Sequence, residues 1–101
     1  MANFGQMKDM YTMAKKAKQM QKELKNLEIE AKSEGGEVGV VVNGEMKLVG
    51  IEISEHMLEK SKKDELEQLI KDTVAQALSR AQSESASRMQ PLLKDMNIPG
   101  M

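Results

Sequence analysis

Gly36-Glu37-Val38-Gly39-Val40-Val41-Val42-Asn43-Gly44-Glu45-Met46-Lys47-Leu48-Val49-Gly50-Ile51-Glu52-Ile53 is the stretch that decides the fold class. Val38 to Val42 is β-branched apart from Gly39, and side chains that are stiff at χ1 suit a pleated strand. Asn43-Gly44 follows, the strongest short hairpin signal, and Glu45 to Ile53 supplies the partner strand. A two-residue loop pairs Val42 with Glu45, Val40 with Lys47 and Val38 with Val49. Side chains alternate along a strand, so Val38, Val40, Val42, Val49, Ile51 and Ile53 then share one face, which must be buried. The other face carries Gly39, Val41, Met46, Leu48, Gly50 and Glu52 and is more apolar than a fully solvated face should be. A partner chain against Val41, Met46 and Leu48 accounts for it.

On the N-terminal side, Gly35-Gly36 forces a break. Glu28 to Lys32 alternates polar and apolar residues, which permits a short strand, although the helical count can also extend through Ala31. Before it, Met10, Met13, Ala17, Met20, Leu24, Leu27 and Ala31 fall in an unbroken alternation of three- and four-residue steps. Such steps keep a helix's apolar residues on one narrow seam, so a first helix is expected over about 3–27. Lys8, Lys15, Lys18, Lys22 and Lys25 form a second stripe, about half a turn from the seam. Burial is expected on one side of this helix and a row of positive charge on the other. Phe4 and Tyr11 read as packing residues, and Met20, Leu24 and Leu27 as part of the surface that joins two copies.

On the C-terminal side, Ser54 to Lys60 reads as a connector anchored by Met57 and Leu58. A second helix is expected from Ser61, with Ser61 and Asp64 in a capping-box arrangement. Leu66, Leu69, Ile70, Thr73, Val74, Ala77, Leu78 and Ala81 make a stripe wide enough to cover one face of a small sheet. Past Gln82 the stripe thins, and Pro91 is expected to stop the helix. A tail over 90–101 completes the chain.

The 101 residues form a single domain at most, and aromatic content is only 2%, so large core-filling side chains are nearly absent. Ten methionines supply flexible apolar volume instead. Self-association is the expected remedy for so thin a core. With no cysteine, neither a disulfide framework nor a cysteine-based metal site can form. No apolar leader opens the chain and no run approaches the roughly 20 apolar residues of a membrane span, so a soluble cytoplasmic protein is expected.

Net charge is −1, yet its distribution is uneven. Residues 8–25 hold six lysines against Asp9 and Glu23, whereas the rest of the chain is acidic. A chain sorted this way can attract a polyanion at one element and repel it elsewhere. Between Met10 and Lys22 no acidic residue interrupts the lysines, unlike the paired Glu and Lys of a merely soluble helix. Lysine acts on phosphate as a point charge, so contact with DNA would be electrostatic, salt-sensitive and weakly sequence-selective. Single-strand recognition by stacking would need aromatic platforms that the chain lacks. Met and Ala give the first helix only a shallow apolar face, so no membrane partner is expected.

Catalysis has little support. His56 is the only histidine and stands in a polar connector. Glu28, Glu30, Glu34 and Glu37 have no nucleophile or histidine pattern near them and read as surface charge. Gly35-Gly36 lacks the lysine and serine of a phosphate loop. No enzyme activity, cofactor, metal or small-molecule substrate is expected.

Gly36-Glu37-Val38-Gly39-Val40-Val41-Val42-Asn43-Gly44 resembles the G-x-V-x-V-x-V-N-G stretch of the YbaB/EbfC nucleoid-associated proteins. Ile51-Glu52-Ile53 is similar to the strand that follows, and Leu66 to Ile70 with Ala77 to Ala81 is similar to the family's second helix. The Lys- and Met-rich first helix and the Pro99-Gly100-Met101 ending also match. The resemblance implies an α+β protomer of order α-β-β-β-α, with a small antiparallel sheet between two long helices. It makes Glu28–Ser33 the first strand, ahead of strands at about 37–43 and 45–53 and a second helix at about 61–89. It further implies a bacterial homodimer with projecting helical arms, acting on DNA in the nucleoid without enzymatic activity. Family members often carry a basic residue in the first hairpin strand, where this chain has Gly39 and Val41, and Asp-Pro where it has Ser54-Glu55.

The expected function is therefore double-stranded DNA binding by a dimer, with a role in chromosome organisation and gene regulation. Its contacts are assigned to Lys8, Lys15, Lys16, Lys18, Lys22 and Lys25, with Arg80 and Arg88 of the second helix. The alternative is a homodimeric structural or adaptor protein whose helices hold a protein partner.

Overall fold

The computed structural model describes the backbone of residues 4–95 and the side chains of residues 8–91. Its elements run α1 (Phe4–Asn26), β1 (Glu28–Lys32), β2 (Val38–Asn43), β3 (Leu48–Ile53) and α2 (Lys63–Asp95), with two 3₁₀ turns, Glu55–Met57 and Lys60–Lys62, before α2. This is the α-β-β-β-α order of an α+β protein. The three strands form one antiparallel sheet in the order β1-β2-β3.

One side of the sheet is roofed by α2. Ala31, Val38, Val40 and Val42 lie buried against Ala77 and Ala81, with Ile29, Leu66, Leu69, Ile70, Val74 and Leu78 closing the edges. Alternation puts the three valines on one face, and the small residues at 77 and 81 let the helix backbone approach the strands. Thr73 is buried in the same seam and donates its hydroxyl to the Leu69 carbonyl at 2.6 Å, so no polar atom is stranded there.

The roof covers β1 and β2 and stops short of β3. Leu48, Val49 and Ile51 are therefore exposed, contrary to the expectation that Val49 and Ile51 are buried. Register is the second correction. Val38 pairs with Ile53 and Val40 with Ile51, and a bulge between Val41 and Val42 brings Val42 opposite Leu48. The strand pair is joined by Gly44 to Lys47 rather than by two residues, so β3 begins at Leu48 and not at Glu45. The slip at Val38 is an even number of residues, which is why Ile51 and Ile53 still share a face with the β2 valines.

The cause of the longer turn is visible at Asn43. Its buried side-chain oxygen accepts from the backbone N–H of Glu45 at 2.9 Å and of Lys47 at 3.1 Å. Met46 takes the left-handed conformation at φ 65°. Asn43 therefore folds the loop back on itself, and Gly44 is freed for another task. The Gly44 N–H donates to the carbonyls of Leu24 and Leu27 at 2.8 and 3.0 Å, satisfying groups that the end of α1 leaves open. The Gly44 carbonyl accepts the Ser85 hydroxyl at 3.2 Å. One glycine thus ties α1, the hairpin and α2 together.

Two further expectations change. Ser61 lies inside the 3₁₀ turn Lys60–Lys62 instead of capping α2, which starts at Lys63 with Asp64 and Glu65 in its first turn. Carboxylates at that end oppose the positive pole of the helix and do part of the work of a cap. Pro91 does not stop α2, which continues to Asp95. The proline removes one bond to the Ser87 carbonyl, but both residues are exposed there and water can serve that carbonyl. Of the connector anchors, Met57 is buried and Leu58 is exposed.

Candidate nucleic-acid interface

Good helix formers from Ala14 to Lys22 carry α1 through 23 residues, about 35 Å at 1.5 Å per residue. Its C-terminal end meets the rest of the chain, with Leu27 buried and Leu24 and Met20 half-buried, and from Gln19 back to Lys8 every described side chain except Lys16 is exposed. Met10 and Met13 are 68% and 54% exposed and Tyr11 70%, so the outer seam and Tyr11 do not pack within one chain. The side chain of Phe4 lies outside the described residues. The radius of gyration, 20.0 Å, far exceeds the roughly 13 Å of a compact chain of this length. α1 is an arm.

Along that arm Lys8, Lys15, Lys18, Lys22 and Lys25 are all exposed, and Lys16 is half-buried on the flank of the row. Among the described residues, Lys8, Lys15, Lys18, Lys22 and Lys25 enter no ion pair; the ion pairs found are Lys32–Glu30, Lys63–Glu67 and Arg88–Glu84. Lys8 to Lys25 spans about 26 Å of helix. Five ammonium groups on one exposed face offer a polyanion contacts that no internal carboxylate competes for.

The two arginines are placed differently. Arg80 is exposed but donates to the Glu30 carbonyl at 3.2 Å, which directs it toward the β1 edge and away from the α1 row. Arg88 lines an open cleft of about 610 Å³ with Gln19, Lys22, Glu23, Asn26, Leu27 and Glu28, and lies 3.8 Å from Glu84. The structure brings Arg88 to the lysine row and leaves Arg80 apart from it. Of the residues assigned to a partner contact, Leu48 and Met46 are exposed, Val41, Met20 and Leu24 are half-buried, and Leu27 is spent inside its own chain. Sequence reasoning missed Gly44 and Ser85 as the joint that sets the arm's direction. The hydrogen-bond partners that make Gly44 useful there lie 17 to 41 positions away, beyond the reach of any local pattern.

His56 is exposed in the 3₁₀ turn, and its carbonyl accepts Lys62 Nζ at 3.1 Å. Among the described residues no group of three or more His, Asp and Glu could hold a metal ion. No described helix is long and apolar enough to cross a membrane.

The family model of the YbaB/EbfC DNA-binding family matches residues 1–96. The chain belongs to the YbaB/EbfC DNA-binding family. YbaB/EbfC relatives include a nucleoid-associated protein of Thermoanaerobacter pseudethanolicus, 38% identical over 96 residues that make up 88% of this chain and 86% of that one. A nucleoid-associated protein of Clostridium kluyveri is 37% identical over 95 residues, 94% of this chain and 83% of its own. The fold is similar to the crystal structure of an uncharacterized protein of Helicobacter pylori, with a TM-score of 0.62 at 23% identity, over 77% of this chain and 90% of that one. YbaB/EbfC is a DNA-binding family and not an enzyme family.

Proposed function

We propose that this protein binds double-stranded DNA as a homodimer, through the α1 lysine row, with little sequence specificity, as a component of the bacterial nucleoid. The observation that carries the reading is the exposed and unneutralised set Lys8, Lys15, Lys18, Lys22 and Lys25 on a projecting helix. Lys16 and Arg88 flank the row, and Arg80 contributes only where the duplex also reaches the β1 edge. Dimerisation uses the β3 side, where Leu48 and Met46 are exposed and Val41 lies on the uncovered face of the sheet. Two arms double the number of phosphates neutralised, and roles in chromosome organisation and gene regulation follow from binding without sequence choice. The family membership and the nucleoid-associated relatives support this reading.

Each neutralised phosphate contributes about 0.9 to the slope of log affinity against log salt. Five lysines per arm give a slope of about −4.5 for one arm and about −9 for two. A mobility-shift titration across salt is expected to show that steep fall, and Lys15→Glu with Lys22→Glu to flatten it by about 2 per arm. An unchanged slope in the double variant would refute the row as the site. The adaptor reading rests on the exposed Met10, Tyr11 and Met13. It would be favoured by a protein partner that binds the double variant as well as the parent.

A further inference from the structure

The lysine row has one place that lysine does not fill. Lys15, Lys18, Lys22 and Lys25 follow one another in steps of three and four, whereas Lys8 and Lys15 are seven residues apart. Tyr11 stands in that gap, three residues after Lys8 and four before Lys15. At about 100° per residue, Tyr11 projects within about 20° of the mean direction of the five lysines. The apolar seam of Met10, Met13 and Ala17 lies on the opposite side of α1. A tyrosine used for packing belongs on that seam. This one is in the charged row.

The surroundings of the side chain agree with its position. It is 70% exposed, and among the described residues its hydroxyl has no hydrogen-bond partner. The neighbouring hydroxyl is already used, since Thr12 Oγ1 donates to the Lys8 carbonyl at 2.9 Å. Asp9 and Glu23, the acidic residues of the stretch 8–25, stand at least about a quarter turn round the helix from the row.

A phenol and a lysine ammonium reach about as far from the helix axis, so both arrive at the same surface laid along the row. They act differently there. The ammonium is a point charge on a flexible stem, which attracts phosphate without fixing a direction. The phenol is neutral, turns about two bonds and donates one directional hydrogen bond. Tyrosine is among the side chains that position a protein on the DNA backbone in this way.

We infer that the Tyr11 hydroxyl donates to a phosphodiester oxygen of duplex DNA and so fixes the rotation of α1 about its own axis, while the lysines on either side supply the attraction. This inference rests on the proposal that the row binds DNA.

Tyr11 is the only tyrosine and the chain has no tryptophan, so its emission reports on this one position. In the full-length protein, saturating duplex DNA is expected to cut the access of acrylamide, a neutral quencher, to that emission. Tyr11→Phe keeps the ring and removes the donor. It is expected to weaken duplex binding on the order of tenfold with the salt slope unchanged, because a neutral group releases no counterion. Lys15→Gln, the next position along the row, is expected to lower the slope by about 0.9 per arm. Equal affinity of Tyr11→Phe and parent, or full acrylamide access in the complex, would overturn the inference and leave the lysine row standing. So would a lower slope in Tyr11→Phe, since the change would then have displaced the lysines. A parent whose affinity ignores salt would overturn the row and the tyrosine contact together. The acrylamide measurement uses the native chain and decides the question even where a variant fails to fold.

Discussion

A methyl group added at Gly44 would sit 2.6 Å from the Leu24 carbonyl oxygen and 3.0 Å from Leu24 Cα. Both are backbone atoms that cannot swing aside as a flexible side chain would. Gly44→Ala must push α1 away from the hairpin, stretching the two bonds its N–H makes, at an expected cost of about 2–3 kcal/mol by chemical denaturation. Gly50→Ala is the contrast, because nothing lies within 4 Å of a methyl there, and it is expected to stay within about 0.5 kcal/mol of the parent. The pair Asn43-Gly44 was conspicuous in the sequence, but for a reason only partly right. A turn was legible from residue type alone. The Asn43 side chain closing a longer loop, and Gly44 serving as a contact for residues 24, 27 and 85, depend on neighbours distant in the chain.

At the scale of elements, α2 was the easiest to read, since its stripe from Leu66 to Ala81 is the surface that packs on the sheet. Period and burial agree there because one face has one job. β3 was harder: its side chains alternate as a buried strand should, yet the helix above ends its coverage at β2. Alternation reports which residues share a face and not whether anything covers that face. Pro91 failed as a stop for a related reason, since its cost depends on whether the orphaned carbonyl is wet. Pro91→Ala restores the bond to Ser87 and removes a ring clash. It is expected to slow amide exchange in the last turn of α2 while leaving the global unfolding midpoint unmoved, read by exchange and circular dichroism together. A shifted midpoint would mean that this turn is part of the cooperative core.

For the whole molecule, the exposed β3 residues set the expected assembly. Leu48→Arg places a charge in the proposed contact between copies and is expected to yield a monomer by sedimentation. Its unfolding midpoint should lose the concentration dependence of a dimer, and its salt slope should halve to about −4.5 as one arm is lost. A dimer that survives Leu48→Arg would move the contact away from β3. The sorting of charge, and hence the candidate site, was legible in the sequence because ammonium groups on one helix face need no tertiary contact to be exposed. The direction in which the arm points was not, because it is set by a backbone joint.

That joint also fixes the order in which the molecule comes apart. Val38, Val40 and Val42 pack with Ala77 and Ala81 of α2 in a cluster to which, among the described residues, no α1 side chain belongs. Gentle heating should therefore shed the limb while the torso persists, and a protease should trim the chain back from its tip toward Asn26 before it nicks a single strand.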